Sequence, residues 1–349
     1  MSALVLVLAA LLPGQAAAAF DPYRARIPAS VVQADGLNGA FEAALVQVLG
    51  KLSGNPDQVA ALAQSGQLGT VRPLVKFHGY TEVGTERWLE VAFDQTLAND
   101  RLRDLRLPVW PLERPETLVW VALEQGGRRT LLGQGQGLTD GETEGDSENS
   151  ALEAMTLTAE LRGVPLIRPL LDLSDQASVR VADVWGGFAD NLESSRQRYN
   201  ADQLLLGRAY PERAGWTIRW LLSGRGAAER WESRAASIEG SLVQGVEMLA
   251  RRMGQRMAVA PDQITGGALR VRVSGLDNAA DYAAVMSYLT GLSVVDRVEP
   301  VSVFTRNLEL RIVSNAGLAG LEQVLATGRL LDARPGRQSI DLELSLRDR

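Results

Sequence analysis

The stretch from Gly163 to Gly224 constrains the fold of this 349-residue chain more than any other part of it. Short apolar runs alternate there with one helical run. Gln203 to Tyr210 is almost continuously apolar, which is typical of a strand in the middle of a sheet. In Trp216 to Leu222, apolar and polar side chains alternate, so one face of that strand is strongly apolar. The pattern therefore predicts a mixed sheet with helices packed on it.

The rest of the chain divides around this central block. Residues 20–125 run strand, helix, strand, strand, helix, strand, with Thr117 to Leu123 as the last strand, and residues 268–349 repeat that order. This is the order of a ferredoxin-like domain. An acidic flexible loop (126–150) precedes the central domain (151–262). The predicted class is α+β / α/β, with ferredoxin-like βαββαβ domains flanking a central mixed-sheet α/β domain.

Residues 1–19 have the pattern of a secretory signal peptide, although a basic first section is missing. Ala3 to Leu12 is apolar, Pro13 and Gly14 interrupt it, and small residues of a cleavage site follow. At about ten residues, the apolar run is too short to span a bilayer. We therefore expect export to the periplasm, cleavage near Ala18 or Ala19, and a soluble mature chain without an integral membrane segment.

The composition excludes several classes of site. The chain has no cysteine, which excludes disulfides, thiol catalysis, zinc–thiolate sites and a lipid-modified cysteine at the cleavage point. The single histidine, His78, argues against a two-histidine metal site and a histidine-based triad. The net charge of −6 argues against a nucleic-acid partner, because phosphate binding needs a concentrated basic face. We predict no cofactor and no metal.

Three aspartates follow the first buried strand of the central block, in the segment LLDLSDQASVRVADVWGGF (170–188). Asp172, Asp175 and Asp183 could supply a pair of carboxylates for acid–base catalysis. The loop after such a strand is also where open α/β sheets place their ligands. The interpretation we favour is that Asp175 and Asp183 cap helices or turns.

An aromatic–glycine turn ends the same segment, and it consists of Trp185, Gly186, Gly187 and Phe188. Tryptophan is a common anchor of protein interfaces, and Trp110 and Trp120 are further candidates. The glycines also fit a plain bend before a helix predicted from Phe188 to Tyr199. Together with the aspartates, this turn favours a recognition surface over a reaction centre.

Several motifs resemble a known family: LPVW (107–110), RPETLVWVAL (114–123) and PLLDLSD followed by ADVWGGF. They are similar to the domain-of-unknown-function 2066 family (DUF2066) of Gram-negative bacteria, over most of the mature chain. That family has no assigned activity, so the resemblance gives no residue a catalytic role. The domain order is more loosely similar to exported envelope proteins, namely the TolB amino-terminal domain, CsgG-type lipoproteins and flagellar assembly protein T. That similarity implies an assembly or regulatory role.

These expectations favour a binding or assembly factor with an envelope protein as its partner, and they lean against an enzyme. Two alternatives remain open. One is a periplasmic hydrolase that uses Asp172, Asp175 or Asp183. The other is a small-ligand sensor that holds its ligand over the turn from Trp185 to Phe188.

Overall fold

The structure is a computed structural model, and it describes residues 21–83, 86–133, 144–224, 226–263, 268–304, 306–328, 330–337 and 339–347. In these residues, helices and three sheets, of which two are mixed and one is antiparallel, confirm the predicted α+β class. The predicted signal peptide lies outside the described residues. Within the residues that are described, no helix is both long and apolar enough to cross a membrane.

The N-terminal sheet has three strands in the order β1–β3–β2, and both pairings are antiparallel. Its elements are β1 (Arg24–Pro28), β2 (Val75–Val83) and β3 (Glu86–Phe93), with helices α1 (Ala29–Ser53), α2 (Pro56–Gln64) and α3 (Gln95–Asp104). Helix α1 buries its apolar stripe, including Phe41, Leu45 and Leu49, against the inner face of β3. It ends at Gly54, whose φ of 65° is the left-handed conformation that glycine adopts at helix ends.

The central sheet has the order β5–β4–β7–β8–β9, and the short β6 also pairs with β4. Its strands are β4 (Thr117–Gln125), β5 (Arg128–Leu131), β6 (Leu166–Ile167), β7 (Gln203–Glu212), β8 (Gly215–Ser223) and β9 (Glu229–Ala235). β4 runs parallel to β6 and β7, and the other pairings are antiparallel. This is the mixed sheet that the sequence predicts.

The prediction of a four-stranded N-terminal ferredoxin-like sheet is wrong, because its expected last strand is β4. Strand β4 pairs with β5, β6 and β7 of the central sheet and with no strand of the N-terminal sheet. Every residue from Thr117 to Leu123 is buried. A strand that is apolar on both faces is stabilised between two helical layers, which the N-terminal sheet does not offer.

Helices cover both faces of the central sheet. Helices α4 (Glu144–Arg162) and α8 (Ile238–Met257) lie on one face, and α5 (Leu173–Ser178), α6 (Val181–Gly186) and α7 (Glu193–Arg198) lie on the other. Successive β4 side chains point to opposite faces. Val119 and Val121 therefore pack under α4 and α8, whereas Leu118 and Trp120 pack under the α5–α7 layer.

Three predicted details of the central region differ from the structure. Helix α4 begins at Glu144 rather than at Ala151, so part of the predicted acidic loop is helical, and residues 134–143 lie outside the described residues. The helix predicted from Phe188 to Tyr199 is a 3₁₀ turn (Ala189–Leu192) followed by the short α7. Trp110 and Trp120 are only 2% and 1% exposed, so these two tryptophans are core residues and not surface anchors.

The C-terminal sheet has the order β11–β12–β10–β14–β13. Its elements are β10 (Ala268–Ser274), α9 (Ala279–Gly291), β11 (Val295–Phe304), β12 (Asn307–Ser314), α10 (Gly317–Thr327), β13 (Leu331–Pro335) and β14 (Leu342–Leu346). The predicted order holds through α10, but two strands follow where one is expected. β14 inserts parallel to β10, and β13 becomes the edge strand, which departs from the ferredoxin-like arrangement.

Residues 109–116, which we call the junction segment, contact all three regions. Val109 pairs with Val259 at the end of the central region, and the Trp110 amide donates to the Leu52 carbonyl at 2.7 Å. Ser293 in the C-terminal region donates from its amide and its hydroxyl to the Glu113 carboxylate, at 2.6 and 2.5 Å. The junction segment therefore connects the three sheets through specific hydrogen bonds.

Arg114 is the buried centre of the junction segment. Its guanidinium donates to the carbonyls of Gly163 at 2.5 Å, Lys51 at 2.6 Å and Pro111 at 3.0 Å. It also stacks 3.6 Å from the centre of the Trp110 ring. One side chain thus joins the end of α1 to the end of α4, two elements that are far apart in sequence.

Candidate functional site

Asp172 caps the helical layer that carries the candidate site. It is the residue before α5, and its Oδ1 accepts hydrogen bonds from the amides of Ser174 at 3.1 Å and Asp175 at 3.0 Å. These bonds satisfy helix amides that have no partner within the helix. The cap of α5 is therefore Asp172, whereas we expected Asp175 and Asp183 to be the caps. These two lie inside the first turns of α5 (Leu173–Ser178) and α6 (Val181–Gly186).

Asp172 and Asp175 share one arginine, Arg198 of α7. Arg198 binds Asp172 in a bidentate pair, at 2.6 and 3.0 Å, and also donates to Oδ1 of Asp175. The Tyr199 hydroxyl donates to Oδ2 of Asp175 at 2.6 Å. We call these four residues the Asp–Arg–Tyr network. It joins α5 to the end of α7 across more than twenty residues of sequence.

The network also fixes the backbone that precedes α5. The Leu170 amide donates to the Tyr199 hydroxyl at 2.8 Å, and the Leu171 amide donates to Oδ2 of Asp175 at 2.9 Å. Leu171 has a φ of 56°, an uncommon conformation for a residue other than glycine. Because Asp175 is 1% exposed, its bonds are shielded from water, and they hold this loop in one conformation.

The charges of the network are mutually stabilised. The hydrogen bonds from Arg198 lower the pKa of Asp172, and the amides of α5 lower it further. The same Asp172 carboxylate raises the pKa of Arg198. Burial and the Asp175 hydrogen bond raise the pKa of Tyr199. At neutral pH Asp172 is therefore ionised and Tyr199 protonated, whereas a general acid needs a carboxyl with a raised pKa.

Asp183 lies in a separate cluster. Its carboxylate accepts hydrogen bonds from Arg180, at 2.8 and 3.3 Å, and from the side-chain amide of Asn191, at 2.7 Å. Arg180 first, and then Asn191, lower the pKa of Asp183. The Asp183 carbonyl also accepts from the Phe188 amide at 2.9 Å. Asp183 therefore holds the turn after α6, and its own arginine partner neutralises its charge.

Trp185 packs inward and is only partly exposed. The guanidinium of Arg129 lies 4.1 Å from the ring centre and that of Arg208 lies 5.6 Å from it. Tyr210 meets the ring edge-on at 6.4 Å. Trp185 also packs against the core under the α5–α7 layer. These contacts attach α6 to β5 and β7, so the predicted interface anchor has a structural role here.

The two glycines shape the turn that presents Phe188. Gly187 ends α6 with a φ of 70°, a conformation that favours glycine. A Cβ atom on Gly186 would come within 2.3 Å of the Phe188 ring, so only glycine allows the ring to lie there. Phe188 itself is 58% exposed. The structure thus identifies Phe188, and not Trp185, as the exposed aromatic group of the turn.

Two leucines of the same segment are more exposed than Phe188. Leu170 is 72% exposed and Leu173 is 83% exposed, whereas Leu171 between them packs against the core. Leu170 and Leu173 are called the apolar surface below. The sequence carries a signal for this exposure that our reasoning missed. Leucines stand on both sides of the helix cap, and they cannot all point to one buried face.

Metal binding has no support from the described part of the chain, where no group of three or more acidic, histidine or cysteine residues could hold an ion. The candidate residues in that part are engaged with arginines and backbone amides instead. The geometry therefore offers a fixed loop with apolar groups on its outer side.

Comparison with known families covers a different part of the chain. Residues 16–111 match a family described as a domain of unknown function (DUF8605). The match ends before β4, so the Asp–Arg–Tyr network and the apolar surface lie outside it. DUF8605 is a different family from DUF2066, and the resemblance to DUF2066 stays a prediction. No protein with a curated description matches the chain.

Proposed function

We propose that this protein is a non-enzymatic binding factor that engages an envelope protein through the apolar surface. One observation supports this most strongly: Leu170 and Leu173 are more than two-thirds exposed, and hydrogen bonds to Tyr199 and to the buried Asp175 hold the backbone of Leu170 and Leu171 in place. Large exposed apolar groups are typical of interaction sites. A loop that is already ordered loses little entropy when it binds, which favours association.

The partner is expected to offer an apolar groove that receives the leucines. Full burial of a leucine side chain contributes about 1.5–3 kcal/mol relative to its exposure. The charged groups behind the leucines already satisfy one another, since Arg198 pairs with both Asp172 and Asp175. A partner can therefore cover these leucines without having to neutralise Asp172, Asp175 or Arg198.

The hydrolase alternative has less support from this geometry. Asp172 and Asp183 belong to separate clusters, each with its own arginine, and both have lowered pKa values. Carboxylates in this state do not form an acid–base pair, which needs one protonated member. The sensor alternative also has less support, because Arg129 and Arg208 already lie over the Trp185 ring.

We propose that binding takes place in the periplasm, on the basis of the signal-peptide pattern in residues 1–19. Cell fractionation of a chain with a C-terminal tag tests this. The expected result is a shortened chain in the periplasmic fraction. An uncleaved chain in the cytoplasm would contradict export while leaving the binding role of the apolar surface open to its own test.

Crosslinking in intact cells tests the binding role, followed by titration of the purified chain with the captured protein. We expect Leu170→Glu/Leu173→Glu to weaken binding at least on the order of tenfold, because two charges would enter an apolar groove. The matched control is Leu97→Glu, since Leu97 is 42% exposed on α3 in the N-terminal region. Equal binding by the double variant and the control, with unchanged thermal unfolding, would refute the proposal.

A further inference from the structure

A crevice of about 730 Å³ opens at the edge of β4 in the central sheet. β6 pairs with β4 only at Thr117 and Leu118, and β5 pairs with it from Ala122 onward. Among the described residues, Val119 to Val121 therefore have no paired strand residue on that edge, and the Val121 carbonyl accepts there only from the Leu132 amide, at 2.9 Å. The parallel ladder ends because the next donor to the Val119 carbonyl would be residue 169, a proline without an amide hydrogen.

Side chains from β4, from α4 and from the segments after β5 and β6 line the crevice. The apolar ones are Val119 and Val121 of β4, Leu132 after β5, Leu152 and Met155 of α4, and Leu171 after β6. Of these, Leu152 and Leu171 are partly exposed, and the others are buried. Polar residues, among them Asn149 and Gln176, also line the crevice. Its volume lies within the range of about 300–1,000 Å³ that small-molecule sites occupy.

The crevice lies at a topological switch point of the sheet. The chain leaves β4 through the antiparallel hairpin strand β5 and then through α4 on one face, and it leaves the neighbouring parallel strand β6 through α5 on the opposite face. The connections diverge there, so a gap opens beyond the carboxyl end of β6. Ligands of open α/β sheets bind in gaps of this kind.

One cation stands at the mouth of the crevice. Arg168 follows β6 directly and is exposed, and it makes no hydrogen bond or ion pair with any residue that the structure describes. Two described carboxylates nearby are engaged elsewhere: Glu148 accepts from the Gly133 amide at 3.0 Å, and Asp172 binds Arg198. The side-chain amide of Gln176 donates to the Leu171 carbonyl. Partly exposed leucines beside an exposed cation suit a ligand that has an apolar part and an anionic group.

We propose that the crevice binds a small amphipathic carboxylate, with its apolar body against Leu152 and Leu171 and its carboxylate on Arg168. Arginine matches a carboxylate with two parallel hydrogen bonds, which gives both strength and orientation. The inference goes beyond the proposed partner binding. The two sites are neighbours, because residues 168–171 contribute Arg168 to the crevice and Leu170 to the apolar surface.

Calorimetric titration of the purified chain with dodecanoate, below its micelle concentration, tests the proposal. Dodecyltrimethylammonium provides the same apolar tail with the opposite charge. We expect one dodecanoate per chain, and binding of the cationic amphiphile that is weaker by on the order of tenfold or more. Hydrogen exchange with dodecanoate bound is expected to slow at Val119–Val121 and at residues 168–171, and not at β11.

Two variants and one control assign the binding to the crevice. Arg168→Gln is expected to weaken dodecanoate binding on the order of tenfold, through the loss of a charge-assisted pair. Leu152→Trp fills the crevice and is expected to abolish binding. Arg213→Gln, an exposed arginine on the turn between β7 and β8, is expected to bind like the wild type. If Leu152→Trp lowers the temperature of thermal unfolding, the Arg168→Gln variant and the hydrogen-exchange pattern alone decide whether the ligand binds in the crevice.

The proposal is overturned if dodecanoate does not bind, or if it and dodecyltrimethylammonium bind equally well. Unchanged dodecanoate binding by a folded Leu152→Trp variant would also overturn it, because the ligand would then lie elsewhere. An effect of Arg213→Gln as large as that of Arg168→Gln would point to general charge attraction and would equally refute the site.

Discussion

Arg114 and Arg198 each tie distant parts of the chain together, but in opposite surroundings. Arg114 is 6% exposed, and its partners are main-chain carbonyls and the Trp110 ring. The side chain of Arg198 is 31% exposed, and its partners are two carboxylates. Burial lowers the pKa of Arg114, whereas the Asp172 carboxylate raises that of Arg198.

The difference shows two uses of one side chain. A guanidinium stays charged at neutral pH even when it is buried. The carbonyls around Arg114 must therefore supply the hydrogen-bond acceptors that water would otherwise provide. Removing it leaves several buried acceptors without a donor at once. Arg198 keeps contact with water, and it orders a surface loop rather than the junction of the regions. The first arginine therefore supports global stability, and the second supports the shape of the candidate site.

The largest expected effect is that of Arg114→Ala. We expect the free energy of unfolding to fall by about 3–5 kcal/mol, since the carbonyls of Gly163, Lys51 and Pro111 lose their donor inside the protein. Urea unfolding followed by tryptophan fluorescence measures the change. Limited proteolysis is expected to cut the junction segment sooner than in the wild type.

Arg251→Ala is the matched control for that variant. Arg251 of α8 also joins the central region to the N-terminal region, through Asp57 at 3.1 Å, but both side chains are exposed. Exposed ion pairs contribute about 0–1 kcal/mol. If Arg114→Ala and Arg251→Ala destabilise the chain equally, burial is not what distinguishes the junction.

The junction could not be predicted from the sequence, although much of the fold could. The alternating pattern of β10 and the helical spacing of α8 are local signals, and they predict these elements correctly. The strands that pair with β4 are determined by tertiary contacts and not by its local sequence. The fully apolar run from Thr117 to Leu123 indicates a central strand, but our prediction assigned it to the wrong sheet. No local pattern indicates that Arg114 would meet the Gly163 carbonyl.

The second effect concerns Asp175→Ala, which removes the buried carboxylate of the Asp–Arg–Tyr network. We expect a loss of about 2–3 kcal/mol, because Tyr199, Arg198 and the Leu171 amide all lose an acceptor. The loss is smaller than at Arg114 because Arg198 keeps Asp172 and water. Hydrogen exchange is expected to quicken at Leu170 and Leu171 before the rest of the central region.

Asp172→Ala gives the comparison within the network. Asp172 is more exposed than Asp175. It caps α5, and it shares the Arg198 guanidinium with Asp175. A helix cap contributes about 1 kcal/mol. We therefore expect Asp172→Ala to lower the free energy of unfolding by less than Asp175→Ala does. Faster exchange throughout the protein in Asp175→Ala, with no early change at Leu170 and Leu171, would show that the network does not order this loop.

The candidate site was only partly accessible to sequence reasoning. The segment from Leu170 to Phe188 was identified from the aspartates and the aromatic–glycine turn, and the structure gives these residues defined roles. Arg198 and Tyr199 were missed because they reach Asp175 only after α7 folds back onto α5. The short helices α5 and α6 were missed for another reason, since six residues hold too few turns to show a helical period.

The smallest expected effect is that of Lys51→Met, and it depends on pH. Burial, with a further contribution from the charge of Arg114, lowers the pKa of Lys51 to about 8. In the unfolded chain a lysine has a pKa of about 10.4. Between these values the unfolded state holds more protons than the folded state, so the free energy of unfolding rises with pH. Below pH 8 the buried charge opposes folding.

Replacing the ammonium by a methyl-terminated chain removes that penalty, but it also removes the hydrogen bond from Nζ to the Arg24 carbonyl. At pH 7 we therefore expect Lys51→Met to be about as stable as the wild type, or more stable. At pH 9.5, where wild-type Lys51 is deprotonated, we expect the free energy of unfolding of the variant to have fallen relative to that of the wild type by about 1–2 kcal/mol. Tyrosines with raised pKa values are present in both chains, so their contribution cancels in the difference. Urea unfolding of both chains at the two pH values measures it. A difference that does not change with pH would mean that Lys51 has the pKa of a solvated lysine, which would refute the prediction.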